Sequence, residues 1–212
     1  MQQVLILGAG GHAQVVADIL LRARDAGAQI EPIGYLDDNP ELRGQARLGL
    51  PILGCVADVS RLAHDALIVG IGDNHARRCL FERFEQHGER FAVARHPAAI
   101  IAPDVPIGRG ATICAGAVIN PGGVIGANTI LNTGCTVDHH TRVDDHAHVA
   151  PGAHLGGDTS IGEGALIGIG ATVMPQRHVG GWSVVGAGAL VHANVPDRVV
   201  VVGVPARLSR PT

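Results

Sequence analysis

From Ile101 onward the chain repeats every six residues. Stepping by six from Ile101 through Ile107, Ile113 and onward to Val191 meets sixteen positions, all Ile, Leu or Val, with no insertion. The residue four places after each is small or β-branched in fifteen of the sixteen cases, Arg177 being the exception. A period of six fits neither the two-residue alternation of a strand nor the 3.6-residue turn of an α-helix. Each hexad therefore makes one short strand and one turn. Three hexads close a triangular coil, so residues 18 apart stack. The aliphatic residue points into the coil and the small one packs beside it. The short strands find backbone partners in the coils above and below. Sixteen hexads give a little over five coils. Arg177 at a small-residue position predicts a local bulge or a lengthened turn.

Composition fits this plan. Five aromatic residues (Tyr35, Phe81, Phe84, Phe91 and Trp182) leave the core to Val, Ile, Leu and Ala, and 30 glycines supply tight turns. The net charge is −3 and every basic residue is Arg, which argues against a nucleic-acid binder needing a basic stripe. No apolar run approaches the roughly 18 residues of a membrane span. The start, MQQVLILGAGG, has neither a basic leader nor a cleavage site, so a cytoplasmic location is expected. Cys55, Cys79, Cys114 and Cys135 show no CxxC spacing and read as reduced packing residues.

Residues 1–95 have a different rhythm and read as a small α/β domain, half of a dinucleotide fold, ahead of a coil domain at 96–212. Val4–Leu7 is a continuous apolar run, as in a buried parallel strand. Gly8-Ala9-Gly10-Gly11-His12-Ala13 follows, and then Val15, Val16, Ile19 and Leu20 at helical spacing. A strand, a glycine turn and a helix in that order favour a phosphate at the helix N-terminus. A second strand over Ile33–Leu36 ends at Asp37-Asp38, acids placed to bond ribose or a sugar hydroxyl. A third covers Leu67–Ile71, followed by Gly72-Asp73-Asn74 and a helix over His75–Gly88.

The coil carries Val137-Asp138-His139-His140-Thr141-Arg142-Val143-Asp144-Asp145-His146-Ala147-His148. Titratable groups stand out in a repeat of Gly, Ala and aliphatics. His139 is the candidate base. One coil away lie Pro121 on one side and Gly157 on the other, and a glycine there leaves room for something to approach the backbone. His148, just before Val149-Ala150-Pro151-Gly152, offers a donor nearby.

The hexads resemble those of the hexapeptide-repeat acyltransferases, whose left-handed parallel β-helices form trimers. With both halves together, the chain resembles the sugar O- and N-acetyltransferases that join a βαβ domain to such a helix. The resemblance rests on Gly8-Ala9-Gly10-Gly11-His12, Leu36-Asp37-Asp38-Asn39-Pro40, Ile71-Gly72-Asp73-Asn74, His96-Pro97, Val137-Asp138-His139 and Gly203-Val204-Pro205-Ala206. It implies acetyl-CoA as co-substrate, no metal, and a homotrimer with active sites between subunits. The acceptor it implies is the 4-amino group of a nucleotide-linked 4-amino-4,6-dideoxy sugar carried on UDP, GDP or dTDP. It implies that His139 is the general base, and that Gly10, Gly11, His12, Asp37, Asp38 and Gly72 form the nucleotide-sugar pocket. His148, Gly157, Ile169, Ala187 and Pro205 fall where the family contacts acetyl-CoA. The family places an acid directly after the base; here that position is His140. Asp138 and His140 are the candidates for orienting the ring.

Two rival readings use the same residues. One is O-acetyl transfer to a sugar hydroxyl such as that of sialic acid. The other is a metalloenzyme similar to the γ-type carbonic anhydrases, with ligands drawn from His139, His140, His146, His148 and His154, which has no use for the N-terminal domain.

Overall fold

The computed structural model describes all 212 residues, and they divide into two compact units, Met1–Pro97 and Ala98–Thr212. The division falls two residues beyond the expected joint, at the proline that disfavours helix for the residue before it.

In the first unit a five-stranded sheet has the order β3-β4-β2-β1-β5, where β1 is Gln2–Leu7, β2 Ile30–Leu36, β3 Ala46–Arg47, β4 Leu50–Gly54 and β5 Ala66–Val69. Strand β1 pairs in parallel with β2 on one side and β5 on the other. Its Val4, Leu5, Ile6 and Leu7 are wholly buried, as a central parallel strand requires. Helix α1, Gly11–Asp25, buries Ala13, Val16, Ala17, Ile19 and Leu20. It can approach β5 because Gly70 has no side chain; a Cβ there would lie 2.8 Å from the Ala13 Cα. Helix α2 spans Asn74–Gln86, with the Asp73 carboxylate capping the Ala76 N–H. The β3–β4 hairpin was not anticipated. It is short, and β4 joins the sheet by parallel pairing with β2.

The second unit is a parallel β-helix with three faces. The first face stacks Thr112–Ile113, Ile130–Leu131, His148–Val149, Leu166–Ile167 and Val184–Val185. The second runs from Ile100–Ile101 through Thr136–Val137 and His154–Leu155 to Leu190–Val191. The third stacks Val124–Ile125, Arg142–Val143, Ser160–Ile161 and His178–Val179. From Ile113 to Val191 every expected inward aliphatic residue is buried.

Each corner needs one residue in the left-handed region. Every sixth residue from Gly110 to Gly188 has it, with φ between +53° and +74°. Eight are glycines. The other six are Asn128, His140, His146, Asp158, Gln176 and Trp182. Asn, Asp and His are the side chains that tolerate this conformation best.

The expected bulge at Arg177 is absent. Ser160–Ile161 and His178–Val179 pair in unbroken register, and the Arg177 carbonyl accepts the Ser160 N–H at 3.0 Å. The half-buried Arg177 side chain is accommodated without lengthening the turn. The irregularity comes one coil later. Val179 bridges Val195, and Val184–Val185 pairs with Val200–Val201, a spacing of 16 in place of 18. An antiparallel strand, Arg207–Pro211, then pairs with Val199–Val202 and ends the stack. No helix is long and apolar enough to cross a membrane.

Candidate active site

His139 and His140 occupy the corner between the second and third faces. The corner one coil on carries Gly157 and Asp158, and the corner before it Pro121 and Gly122. The His139 ring lies over Gly157: a Cβ built there would come within 2.5 Å of Nε2 and closer still to Cε1. The room that the glycine creates is thus filled by the imidazole itself. The His140 ring packs the other way, over Gly122, where a Cβ would lie 2.5 Å from its Cδ2.

The Nδ1 edge of His139 faces neighbours. It lies 3.1 Å from Nδ1 of His140, with the two rings edge to face at 76°. The Asp158 carboxylate stands 3.9 Å from the Nδ1 of each ring. Nε2 of His139 has no hydrogen-bond partner within the chain and half of the side chain is exposed. An imidazole with one nitrogen engaged and the other open has the form of a general base.

Asp138 takes another role than orienting that ring. Its Oδ1 accepts from Asn120 Nδ2 at 2.7 Å and from the His139 backbone N–H at 2.8 Å. The Asn120 bond, and then the backbone one, hold its carboxyl below the usual carboxylate range. It fixes the main chain entering the corner. The ring contacts come from His140 and Asp158, and sequence reasoning missed Asp158. The available signal was the 18-residue stacking, which places residue 158 beside residue 140.

The five histidines of the metalloenzyme reading do not converge in one chain. His146 is buried against Asn128 (2.9 Å), His148 meets Asn132 (3.1 Å), and His154 meets Thr136 (2.9 Å). His139, His140 and Asp158 alone bring three potential ligand atoms within 4.8 Å of one another.

Of the residues expected along acetyl-CoA, Gly157 lies against the His139 ring and the others lie elsewhere on the coil. Ile169 and Ala187 stack on the corner between the first and second faces, where the Ile169 carbonyl accepts the Gly188 N–H. Ile169 is 62% exposed, an apolar side chain held out in solvent. His148 belongs to the first face and Pro205 to the exposed tail. One chain therefore does not bring His139 together with Ile169 and Ala187.

In the first unit, the glycine loop leads into α1 as expected. Gly8, at φ +98°, is boxed in by Ile71 and Gly70, so only glycine makes that turn. Gly10, Gly11 and Gly72 face open space. Gly10 is the N-cap of α1 and brings no side-chain cap, and no acid stands in the first turn. That leaves a helix N-terminus suited to an anion. Asp37 and Asp38 are less free than expected. Asp37 accepts the N–H groups of Ala9 (2.7 Å) and Asn39 (2.9 Å), and Asp38 that of Val56 (2.8 Å). They tie the glycine loop and the turn after β4 to the end of β2. His12 is largely buried, and burial, followed by the Arg77 charge, lowers its pKa from 6.5 to about 4. Arg77 itself is buried, its Nη1 donating to the carbonyls of Ile71 and Gly72. It braces the loop carrying Gly72 from below.

Residues 3–84 match the family described as the PglD N-terminal domain. The acetyltransferase domain of PglB from Neisseria gonorrhoeae, solved with acetyl coenzyme A, is 36% identical; the likeness covers 98% of this chain and 99% of that one, with a TM-score of 0.90. PerB from Caulobacter crescentus, solved with CoA and GDP-perosamine, is 36% identical over 99% of this chain and 98% of that one, with a TM-score of 0.89. The UDP-N-acetylbacillosamine N-acetyltransferase of Bacillus subtilis is 37% identical over 117 residues, 54% of this chain and 52% of that protein. The matched stretch thus spans about half the length of that curated relative. Near-complete two-way coverage above 30% identity, on a fold with both units, decides the family: the chain belongs to the hexapeptide-repeat sugar acetyltransferases with a PglD-type N-terminal domain.

Proposed function

We propose that this chain transfers the acetyl group of acetyl-CoA to the 4-amino group of a nucleotide-linked 4-amino-4,6-dideoxy sugar, with His139 as general base. One observation carries the reading: His139 presents an open Nε2 while its other edge is engaged, on a chain that resembles the CoA- and GDP-perosamine-bound PerB along its whole length. As an ammonium the sugar nitrogen has no lone pair to attack with. His139 Nε2 takes one proton, the amine nitrogen bonds to the thioester carbonyl carbon, and the C–S bond breaks to release CoA as thiolate, which takes up the second proton lost by that nitrogen. The Gly157 N–H is the proposed donor to the oxyanion of the tetrahedral intermediate. No covalent enzyme intermediate is required.

The glycine loop with Gly10, Gly11, His12 and Gly72 is the proposed site for the nucleotide sugar, its geometry maintained by Asp37 and Asp38. Ile169 and Ala187, with His148 and Pro205, are proposed to border acetyl-CoA. The separation of these residues from His139 on different corners of one coil supports active sites built between copies in a homotrimer.

The test is a coupled assay of CoA release, with acetyl-CoA and a panel of acceptors. The panel holds UDP-, GDP- and dTDP-linked 4-amino-4,6-dideoxy sugars and free sialic acid. Release with one nucleotide-linked amine, and a product mass gained by one acetyl group, is the expected result. Release with sialic acid alone moves the reading to O-acetyl transfer, and silence across the panel refutes acetyl transfer to any of these acceptors.

A further inference from the structure

We propose that Asp158, acting with His140, is the positioning acid for His139, supplied from the adjacent coil in place of an acid at the next residue. This inference rests on the reading of His139 as the base.

Residues 140 and 158 hold the same left-handed position in stacked turns, with φ of +55° at both. A backbone bond locks these turns together, the His139 carbonyl accepting the Asp158 N–H at 2.9 Å, and the same bond one coil earlier, from the His140 N–H to the Pro121 carbonyl at 3.1 Å, fixes the turn at 140. A side chain at 158 is thereby delivered to the edge of residues 139 and 140. Position 140, the next in sequence, holds an imidazole. The carboxylate that faces Nδ1 of His139 is Asp158, at 3.9 Å, and it faces Nδ1 of His140 at the same distance.

The 3.1 Å contact between the two Nδ1 atoms restricts the tautomers. One nitrogen must donate and the other accept. With Nε2 of His139 free to take a proton, its Nδ1 bears the hydrogen and donates to Nδ1 of His140. His140 then carries its own proton on Nε2. When His139 gains a proton from the amine, positive charge develops beside the Asp158 carboxylate, at ion-pair distance. Asp158 therefore acts through the ring it faces. The other charged neighbours are already committed: Asp138 to Asn120 and backbone, and Arg142 to Asp144. The stacked turns otherwise present Pro121, Gly122 and Gly157, which carry no charge.

The experiment compares wild type with Asp158→Asn, His139→Ala and the double variant His140→Asp/Asp158→Asn, using the acceptor that wild type acetylates. Asp tolerates the left-handed position, so the double variant moves the acid from 158 to 140 on an unchanged backbone. The expected result is a fall in kcat of about tenfold or more for Asp158→Asn with KM for acetyl-CoA unchanged, since the loss falls on the proton-transfer step. Recovery to within a fewfold of wild type in the double variant is also expected; a merely structural carboxylate at 158 gives no such rescue. Wild-type kcat in Asp158→Asn, alongside an inactive His139→Ala, overturns the assignment of Asp158 alone. Full activity in His139→Ala overturns the base itself.

Discussion

Substituting Gly157 with alanine should disable the enzyme without unfolding it. Gly157 lies outside the left-handed region, so alanine adopts its backbone conformation without strain. In the unfolded chain alanine even has less freedom to lose, worth about 0.4–1 kcal/mol in favour of the variant. The new methyl group, however, would sit 2.5 Å from Nε2 of His139 and nearer to Cε1. Ordinary contact needs the ring to withdraw by about 1 Å, and a displacement of that size at the proposed base is expected to cost roughly 10²-fold in rate. The side chain is half exposed, so it can swing away at little cost in stability. The expected outcome is kcat/KM lowered about 10²-fold, or about 2.7 kcal/mol of transition-state stabilisation, with Tm unchanged within a few degrees. CoA release against sugar concentration measures the first and circular dichroism the second. A cycle with His139→Ala adds a control: once the ring is gone, Gly157→Ala should cost nothing further. Activity within twofold of wild type in Gly157→Ala would refute the packing argument.

Other consequences follow from buried groups. Leu155, 2% exposed inside the coil, should cost about 2–5 kcal/mol on truncation to alanine, read from urea unfolding. His12 has a folded pKa of about 4 against 6.5 unfolded, so the unfolded state binds the extra proton between those values. Stability should fall as pH drops from 6.5 toward 4, by up to about 3 kcal/mol from this group, and His12→Gln should flatten that slope in urea midpoints measured at pH 7 and 4.5. Burial pushes the Cys114 thiol up to about 11 and that of Cys135 to about 12, whereas Cys79 is exposed. A thiol reagent at pH 8 should label Cys79 quickly, and Cys114 and Cys135 only after denaturation; fast labelling of either buried thiol contradicts the coil packing.

The coil was legible because one physical demand repeats. An inward position accepts only an aliphatic side chain, and the eye finds it at Ile113, Ile119 and onward without a break. The left-handed corner repeats just as strictly, but it is written in glycine at eight corners and in Asn, His, Asp, Gln or Trp at the other six. Residue type alone hides it at Asn128, His146 and Asp158. That is why the sequence alone points to Asp138 as the acid beside His139, although its carboxylate is taken by Asn120. Contacts 18 residues apart become visible only when the corner frame is laid over the chain. Arg177 misled for a related reason: a long side chain at a small-residue position need not lengthen the turn. The true change of spacing, at Val195, has no marker in residue type, because its valine suits either register. In the first unit the glycine loop and its strand were plain from Val4–Leu7 and Gly8. The acids at the end of β2 suggest ligand contacts in sequence, and in the fold they also accept the local N–H groups of Ala9, Asn39 and Val56. The β3–β4 hairpin is too short for periodicity to reveal it.

The central claim is that His139 removes the proton from the attacking amine. Its most direct test follows an isotopically labelled acetyl group from acetyl-CoA to the nucleotide-linked amino sugar in wild type and in His139→Ala, with acetyl-CoA binding to both measured by calorimetry. Label on the sugar nitrogen is expected with wild type, with transfer reduced by about 10²–10⁴-fold in the variant and equal affinity for acetyl-CoA. Transfer at the wild-type rate by His139→Ala contradicts the claim.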